Sequence, residues 1–388
     1  MSDSLRIALL TYSTQPRGSV VHTLELARAL KKLGHQPSVF ALDKDGQGFG
    51  QALPFETYSV PAGPSDSGVD GLIRQRIEEF VSYFKQHSSS YDIFHAQDCI
   101  GANALAVLRQ QGRIPHFART VHHVEAFESP YLRDCQDRSI RLPDQCLCVS
   151  QFWREALWTD YGLRAERVFN GVDTDRFSAA PNGTEADLAV ALGIAGGPIY
   201  LTVGGIEPRK NSIRLLQAFA QVLVQSPQAK LVIAGGATLF DYQPYRQTFL
   251  ETAAELGIQP GQSLCLPGVI AEQDLPTLYR LADAFVFPST KEGWGLVVLE
   301  AIATHLPVIT SNQAPFTEFL TEDQALLVNP ESVDAIATAM LQVTQPKVRQ
   351  RLIANTRGVC DRFTWIRSAQ HHITAYRSLL LTRDYSHA

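Results

Sequence analysis

The segment Ala284-Phe-Val-Phe-Pro288 is followed by Glu292-Gly-Trp-Gly-Leu-Val-Val-Leu-Glu300 and then by Leu306-Pro-Val-Ile-Thr310. The two outer runs are short and apolar, with β-branched and aromatic residues, as buried strands are. The glycines of the middle segment therefore fall where a parallel strand leads into a helix. At such a point backbone N–H groups face outward and the helix dipole favours an anion. The three runs predict a β-α-β unit with a ligand site at its turn.

Two carboxylates, Glu292 and Glu300, bracket this glycine turn. Glycine allows a ligand to approach the backbone closely. One carboxylate before the helix and one within it suit the hydroxyls of a sugar and of a ribose on either side of a phosphate group. Two glutamates at this spacing also arise by chance in helix-rich proteins, so the spacing alone is weak evidence of function.

The chain has 388 residues, more than the ~250–300 at which a single hydrophobic core stops growing. Apolar runs alternate with amphipathic stretches in two series. This rhythm favours two domains, each with a parallel sheet covered on both faces. A small, polar, turn-forming stretch at residues 178–184 lies between the series. The predicted domains are residues 1–180 and 181–365.

The first predicted helix covers residues 20–33, and Gly34 is expected to end it. Strands are predicted in both series. In the first they lie at residues 5–12, 38–42, 55–60, 93–96, 117–121 and 145–149, and in the second at 200–203, 230–234, 284–287, 308–310 and 326–328.

Composition excludes several classes of protein. A net charge of −5 and a pI near 6.1 argue against nucleic acid as a partner, because no basic excess is present to neutralise phosphates. No apolar run reaches the ~18 residues that a transmembrane helix needs. The first residues lack the order of a signal peptide, so a cytoplasmic protein is expected. The six cysteines form no C-x-x-C pair, and a zinc site would need more ligands at closer, regular spacing. Cys146 and Cys148, which alternate along an apolar strand-like run, are expected to be buried thiols.

Adjacent cations, Arg209 and Lys210, follow the first strand of the second series, in Val203-Gly-Gly-Ile-Glu-Pro-Arg-Lys-Asn211. They stand at the predicted start of a helix, where the dipole disfavours positive charge. A diphosphate lying between them would supply the missing anion, and arginine can bind it in a bidentate way. The alternative is a solvated pair of surface cations.

Two segments of the first series point to the same kind of site. His122, in Arg119-Thr-Val-His-His-Val-Glu125, follows a strand and could hydrogen-bond a sugar or acceptor hydroxyl; alternatively it caps the strand end. Gly18 lies in the loop after the first strand, where open α/β sheets bind ligands. The alternative there is a plain loop with Ser19 capping the helix.

The pair Asp173-x-Asp175 could hold a divalent cation against a diphosphate. It follows Asn170-Gly171, a turn-forming dipeptide. We therefore favour a structural interpretation, in which Asn-Gly makes the turn and the aspartates cap or solvate it.

Taken in order, these segments resemble the retaining glycosyltransferases of the family 4 group, which have the GT-B fold. Order and spacing hold across nearly the whole chain. The segments that carry the resemblance are Pro16-Arg-Gly-Ser-Val-Val-His22, Asp92-Ile-Phe-His-Ala-Gln-Asp98, Thr120-Val-His122, Val149-Ser150, Asn170-Gly-Val-Asp173, residues 203–211, Ala234-Gly-Gly236, Leu266-Pro-Gly-Val269, Ala282-Asp-Ala-Phe-Val-Phe-Pro-Ser289, residues 292–300, Leu306-Pro-Val308 and Phe363-Thr-Trp365.

The resemblance implies an α/β fold of two Rossmann-like, doubly wound domains facing across a cleft. The second domain would hold a nucleotide sugar, such as a UDP-, GDP- or ADP-sugar, and a last helix at about 366–388 would return to the first. The implied reaction is transfer of a hexosyl or related sugar to a hydroxyl acceptor with retained configuration, in which the departing phosphate takes the acceptor proton. No metal and no cofactor besides the donor substrate are implied.

Carried over by position, Arg209 and Lys210 would bind the diphosphate, Glu292 the donor sugar and Glu300 the ribose. His122 matches a histidine beside the donor sugar, so His122, Glu292, Arg209 and Lys210 form the implied catalytic set. The implied donor-binding residues are Gly18, Gly205, Arg209, Lys210, Val269, Glu292, Gly293, Trp294, Gly295, Leu296, Val297 and Glu300.

The chain departs from the family pattern at Ser19, where many members have a second glycine, and at His123, where an aspartate is common. His305 stands where glycine is frequent, and residues 312–318 lack the usual glycine pair. These departures bear on the sugar and the acceptor more than on the reaction type.

Three other functions remain open at this point. A glycosidase also uses two carboxylates, but a fully helical 292–300 would separate the pair by ~12 Å, against ~5–9.5 Å in glycosidases. A sugar-nucleotide epimerase with a similar fold and a non-catalytic sugar-nucleotide binding protein are the alternatives, since fold alone does not fix a reaction.

Overall fold

The computed structural model describes residues 4–87, 90–236 and 242–384. They form two compact units. One contains the described residues up to Gly171 and those from Phe363 onward, and the other is Val172–Arg362. The sequence placed the same divisions at 180/181 and at about 365/366. Each unit has one wholly parallel sheet with helices, so the predicted pair of doubly wound α/β domains is confirmed.

The strands are short, as expected of buried parallel sheets. In chain order they are β1 Arg6–Thr11, β2 Gln36–Asp43, β3 Glu56–Pro61, β4 Ile93–Ala96, β5 Ala118–Val121, β6 Gln145–Cys148, β7 Glu166–Arg167, β8 Ile199–Val203, β9 Lys230–Ala234, β10 Leu264–Gly268, β11 Ala284–Phe287, β12 Val308–Ser311 and β13 Leu326–Val328.

The helices connect these strands. They are α1 Gly18–Lys32, α2 Gly68–Gln86, α3 Cys99–Gln110, α4 Pro130–Arg141, α5 Gln151–Tyr161, α6 Glu185–Leu192, α7 Ser212–Gln225, α8 Gln243–Glu255, α9 Leu275–Leu281, α10 Leu296–Ala303, α11 Val333–Val343, α12 Pro346–Asn355, α13 Val359–Arg362 and α14 Trp365–Asp384. Short 3₁₀ turns cover Pro208–Lys210 and Phe316–Glu318.

The first sheet has the order β3-β2-β1-β4-β5-β6-β7 and the second the order β10-β9-β8-β11-β12-β13. In each, the strand order reverses between two central neighbours, β1 and β4 or β8 and β11. Ligands of open α/β sheets bind outside the carboxyl ends of the strands at such a point. The predicted strands are confirmed, whereas β7 and β10 were not predicted.

The two ends of α1 test the predicted serine cap and the predicted glycine stop. The helix begins at Gly18 with Arg17 at the N-cap position and no side-chain cap, so the Ser19 cap is wrong. At the other end Gly34 has a φ of 87°, and its N–H donates to the carbonyl of Lys31. The predicted glycine stop is confirmed, because a left-handed residue closes the helix there.

The last helix, α14, packs against α1 within the first unit. Its Ala375 is fully buried against Leu147 of β6 and Val168. The hydroxyl of Tyr376 lies 2.6 Å from Nδ1 of His95 on β4. Helix α14 thus packs on one face of the first sheet and contacts His95, within one of the segments that carry the family resemblance.

The dipeptide Asn170-Gly171 does not make the predicted turn. Asn170 is buried, and its Oδ1 lies 2.9 Å from Nδ1 of His22. A Cβ atom on Gly171 would lie 2.3 Å from the backbone nitrogen of Trp365. The glycine is therefore needed for close approach of two backbone segments, and the turn comes later, at residues 174–176.

The second unit has a continuous apolar core between its sheet and helices α7, α8, α11 and α12. Tyr200 of β8 is 1% exposed, and its hydroxyl donates to the carbonyl of Met340 on α11. This contact satisfies the polar end of a buried ring. In residues 4–87, 90–236 and 242–384, none of the helices combines the length and apolar character that a membrane crossing needs.

Replacing Gly171 with Ala is expected to lower the thermal midpoint of unfolding. The added Cβ would meet backbone atoms of Thr364 and Trp365 at 2.3–2.4 Å, and a backbone cannot move aside like a flexible side chain. Overpacking of this kind costs roughly 1–3 kcal/mol. Differential scanning calorimetry measures the change. Gly18→Ala is the control, since no atom lies within 4 Å of a Cβ there; equal midpoints for the two variants would contradict the assignment.

Candidate active site

The loops that follow β8 and β11 are held together at the carboxyl edge of the second sheet. The carbonyl of Arg209 accepts hydrogen bonds from the backbone of Thr290, at 2.8 Å, and from the hydroxyl of Ser289, at 2.7 Å. Asn211, in the left-handed region at φ 61°, donates its side-chain amide to the carbonyls of Pro288 and Pro330. These bonds fix where the neighbouring cations lie.

A buried carboxylate, Glu292, lies between the two predicted cations. Its Oε1 is 2.6 Å from Nζ of Lys210 and 2.9 Å from Nη1 of Arg209, and Ser289 donates to the same oxygen at 2.9 Å. Arg209 makes a second ion pair with Glu207 at 3.1 Å. The alternative of solvated surface cations is wrong, since the Lys210 and Glu292 side chains are 11% and 9% exposed. We call these four charged residues the ion cluster.

Burial and charge act against each other in the ion cluster. Burial would raise the pKa of Glu292, but the charges of Lys210 and Arg209 lower that pKa on balance. Burial lowers the pKa of Lys210, as does the charge of Arg209, while Glu292 opposes the change. The Lys210 ammonium also lies 4.4 Å from the ring centre of Phe287 on β11. Glu292 is therefore held as an anion whose positive partners are oriented before any ligand arrives.

Glycines beside the ion cluster bring two loops into backbone contact. Gly205 has a φ of 78°, and a Cβ there would lie 2.7 Å from the carbonyl oxygen of Gly236. A Cβ on Gly235 would lie 2.4 Å from the backbone nitrogen of Gly205. Val269, after β10, is 59% exposed, and its side chain leaves no room for a Cβ on Gly236. The predicted residues Gly205 and Val269 thus lie where the glycine loops after β8 and β9 pack closely together.

The turn from Glu292 to Gly295 is not helical, because α10 begins only at Leu296. Gly295 holds the N-cap position at φ 99°, where a Cβ would lie 2.7 Å from the ring of Phe316. The condition behind the ~12 Å separation of the two glutamates is therefore not met, and that argument against a glycosidase fails. The backbone of Leu296 and Val297 begins the helix, as the anion interpretation requires.

Glu300 meets a partner that the sequence did not reveal. Oε2 of Glu300 accepts a hydrogen bond of 2.8 Å from the hydroxyl of Tyr279 on α9. Burial, followed by the charge of Glu300, raises the pKa of Tyr279 well above its usual value, so the phenol stays a donor. The sequence did not reveal Tyr279 because a tyrosine on a short apolar helix is typical of a core residue. Trp294 is buried too, and its ring stacks on Phe319 with the ring centres 4.9 Å apart.

In the first unit, His122 follows β5 directly and belongs to a group of packed imidazoles. Its Nε2 lies 3.2 Å from Oε1 of Gln97, so this nitrogen is the donor. The ring of His22, on α1, meets it edge-on at 4.7 Å. The Nδ1 of His22 in turn donates to Asn170, which fixes that ring. His122 is thus positioned by Gln97, which follows β4, and by His22 of α1, whose own ring is fixed by Asn170.

Two further histidines continue the group. His95 lies 2.9 Å from the hydroxyl of Thr120, and His372 of α14 lies 5.7 Å, ring to ring, from both His95 and His22. Burial lowers the pKa of His22 to about 4 and that of His372 to about 3, and it holds the pKa values of His95 and His122 well below 6.5. These four residues, the histidine group, are neutral at pH 7. His372 was missed because a histidine on a helix does not by itself indicate a functional site.

The remaining predicted residues have plain surroundings. Gly18 is exposed, and His123 pairs with Glu125 at 2.8 Å. His305 has a φ of 57°, which explains why glycine is common there. Oδ1 of Asp173 accepts the backbone N–H of Asp175 and of residue 176, as a turn cap does. Across the described residues, no three His, Cys, Asp or Glu side chains are grouped to hold a metal ion.

The histidine group predicts that folding stability falls in acid. Between pH 6.5 and about 4 the unfolded chain binds more protons than the folded chain, so stability rises with pH there. His372→Phe is expected to flatten the fall of the thermal midpoint between pH 7 and pH 5, because one such proton is removed. His87→Gln, at an exposed site in the same unit, is the control. An unchanged pH slope for His372→Phe would show that this imidazole is not buried in its neutral form.

Comparisons with known proteins agree with the two-unit architecture. The family model for glycosyltransferase family 4 matches residues 16–176, and the model for glycosyl transferases group 1 matches residues 187–359. O-antigen chain mannosyltransferase B of Escherichia coli is 29% identical over 69% of this chain and 71% of its own. A GDP-mannose-dependent phosphatidylinositol monomannoside mannosyltransferase of Mycobacterium tuberculosis is 27% identical over 87% and 89%.

Solved structures show the same fold. Sucrose-phosphate synthase from Thermosynechococcus elongatus superimposes with a TM-score of 0.79 at 23% identity, covering 97% of this chain and 100% of its own. Alr3699/HepE of Anabaena, solved with UDP and glucose, gives 0.79 at 19% identity, covering 96% and 100%. The predicted GT-B fold is confirmed. With the two matched models spanning both units, the chain belongs to the family 4 glycosyltransferases.

Proposed function

We propose that the protein transfers a sugar from a nucleoside diphosphate sugar to a hydroxyl acceptor, with retained configuration and without a metal. The observation that carries the proposal is the ion cluster: two cations oriented by Glu292 in the loops that follow β8 and β11, beside close glycine contacts and the turn that leads into α10. Parallel sheets bind ligands at their carboxyl edge.

The cations fit a departing diphosphate. As the sugar–phosphate bond breaks, negative charge grows on the leaving group, and oriented donors that meet this charge lower the barrier. Arg209 and Lys210 would supply fixed positive charge, and the free N–H groups at the start of α10 would add backbone donors. Because these groups are already in place, little reorganisation is needed in the reaction.

Glu292 has two parts in this scheme. Without a ligand it neutralises Lys210 and Arg209 and keeps them aligned. A bound diphosphate competes for both cations, which leaves the carboxylate able to accept hydrogen bonds from hydroxyls of the donor sugar. Glu300, held in place by the hydroxyl of Tyr279, would accept hydrogen bonds from the ribose hydroxyls.

His122 would serve a hydroxyl and not a phosphate. A neutral imidazole that donates Nε2–H to Gln97 keeps a lone pair on Nδ1, which can accept a hydrogen bond. Such a group orients the hydroxyl of a sugar or acceptor without adding charge. The acceptor hydroxyl would attack on the face of the sugar from which the phosphate departs, and the departing phosphate would take its proton. No protein base is therefore assigned.

The test is product analysis with a panel of UDP-, GDP- and ADP-sugars. Relatives act on GDP-mannose or were solved with UDP-glucose, so both bases belong in the panel. A thermal shift selects the donor, because ligand binding to the folded state raises apparent stability. NMR of the product is expected to show the donor's anomeric configuration. An isomerised donor without acceptor would indicate an epimerase, and binding without transfer or hydrolysis a binding protein; either result overturns the proposal.

Replacing Lys210 with Ala is expected to weaken binding of the nucleoside diphosphate about tenfold or more. One charged hydrogen bond to phosphate is lost, worth about 1.5–3 kcal/mol. Isothermal titration calorimetry measures the affinity. Lys347→Ala, at an exposed lysine of α12 in the same unit, is the matched control. Equal affinities for both variants would remove Lys210 from the donor site.

Transfer activity is expected to survive EDTA. The proposal assigns to Arg209 and Lys210 the charge that a metal would supply to the diphosphate, and Asp173 is engaged in capping a turn. The assay compares initial rates with and without EDTA at equal ionic strength. A loss of activity in EDTA that Mg²⁺ or Mn²⁺ restores in the wild type but not in Asp173→Asn would establish a metal site instead.

A further inference from the structure

Gln313 lies in the segment 312–318, where the sequence departs from the family pattern. The sheet extends to the residue before it, since the N–H of Asn312 donates to the carbonyl of Val328 at 2.8 Å. Just after it, the N–H of Phe316 donates to the carbonyl of Gln313 at 3.1 Å and begins a short 3₁₀ turn. The backbone that carries Gln313 is therefore fixed on both sides.

The side chain of Gln313 reaches the loop that follows β11. Its Nε2 donates to the carbonyl of Thr290 at 2.7 Å and lies 3.3 Å from the carbonyl oxygen of Ser289. The hydroxyl of Ser311, the last residue of β12, donates to the same Ser289 carbonyl at 2.6 Å. Because β11 ends at Phe287, these side-chain bonds continue the attachment of the loop to β12 beyond the last residue of the strand.

The far end of the same loop packs on the same segment. The ring of Phe316 is 1% exposed, and a Cβ atom on Gly295 would lie 2.7 Å from it. The loop from Ser289 to Gly295 is thus held at its start by Gln313 and contacted at its end by Phe316. Glu292, the carboxylate at the centre of the ion cluster, lies between these two points.

The residues that Gln313 holds also contact the ion cluster. The hydroxyl of Ser289 lies 2.9 Å from Oε1 of Glu292, and the N–H of Thr290 donates to the carbonyl of Arg209 at 2.8 Å. A displacement of the backbone at residues 289 and 290 would therefore displace Glu292 from its place between the cations.

We infer that Gln313 is a positioning residue for the proposed transfer, and that its amide fixes the loop which presents Glu292 to its cations and to the donor sugar. The inference rests on the proposed function, and Gln313 itself touches no substrate in it. A neutral hydrogen bond adds little net stability, because the unfolded chain makes the equivalent bonds with water. A misplacement of about 1 Å at a reacting site, by contrast, can lower a rate about a hundredfold. Loss of the amide should therefore affect the reaction more than the fold.

The first experiment compares Gln313→Ala with the wild type, using the donor that the panel selects. We expect kcat to fall roughly ten- to a hundredfold. The calorimetric affinity for the nucleoside diphosphate should stay within about threefold, because Asn211 still supports the loop that carries the cations. The thermal midpoint should fall by no more than about 4 °C. An unchanged kcat, or a loss of kcat matched by an equal loss of diphosphate affinity, would overturn the inference.

The second experiment gives a signature that a purely structural role would not produce. In Gln313→Glu a carboxylate cannot donate to the Thr290 carbonyl, whereas a protonated carboxyl can. The two neighbouring carbonyls disfavour the charged form and so raise the pKa of the introduced carboxyl. We expect the kcat of this variant, relative to the wild type, to be as low as that of Gln313→Ala at pH 8 and to rise at least about threefold by pH 5.5. Gln350→Glu, at an exposed glutamine of α12, is the control. A relative kcat that does not change with pH in Gln313→Glu would overturn the inference.

The third experiment does not depend on activity. Hydrogen exchange followed by mass spectrometry measures how readily the backbone of residues 288–297 opens. We expect these amides to exchange faster in Gln313→Ala than in the wild type, and at the wild-type rate in Gln350→Ala. If no donor supports transfer but this difference persists, the positioning of the loop stands and only the proposed reaction is wrong. Equal exchange rates in the wild type and Gln313→Ala would overturn the positioning role.

Discussion

One interaction organises the second unit: a carboxylate buried between two cations. Glu292 reaches Lys210 and Arg209 from the next loop, and both loops are fixed by hydrogen bonds to backbone carbonyls. Buried ion pairs contribute little net stability, because desolvation offsets their attraction. Their retention here fits function better than folding. The pairs keep Lys210 and Arg209 aligned at the carboxyl edge of the sheet. On the proposed function, a diphosphate would displace Glu292 from these two cations.

The first unit is built on a contrasting principle. Its histidine group is neutral, and the imidazoles are oriented by hydrogen bonds to Gln97, Asn170, Thr120 and Tyr376. Burial keeps the imidazole of His122 neutral, so this side chain is suited to exchange hydrogen bonds with a hydroxyl. On the proposed function, one unit would therefore offer fixed charge for a diphosphate, and the other would offer neutral hydrogen-bonding groups. This division matches a reaction between a charged donor and a hydroxyl acceptor.

The sequence predicted the fold well because its evidence is local. Parallel strands are buried on both faces and read as continuous apolar runs, and Gly34 marks a helix end by its backbone requirement. The same local reasoning failed at Asn170-Gly171, which looked like a turn. Glycine is required at position 171 because the backbone of Trp365, nearly two hundred residues later, lies too close for a Cβ atom. Tyr279 and His372 were missed for the same reason, since their partners are remote in sequence. Contacts between distant segments leave no periodic trace.

The site could be predicted only as a set of residues and not as an arrangement. Arg209, Lys210 and Glu292 were expected around a ligand, but the direct pairing of the cations with Glu292 was not. That pairing changes the expected effect of removing the carboxylate. On the proposed function, Glu292 would compete with the diphosphate for the cations, so its charge would oppose nucleotide binding even while it aligns them.

The central claim is that the ion cluster is the diphosphate site. Its most direct test is the calorimetric affinity of Glu292→Gln for the nucleoside diphosphate, with Glu331→Gln, at an exposed glutamate of the same unit, as the control. Freed cations should bind the diphosphate as tightly as the wild type or more tightly, while sugar transfer falls. A loss of nucleoside diphosphate affinity as large as that caused by removing Lys210 would contradict the account.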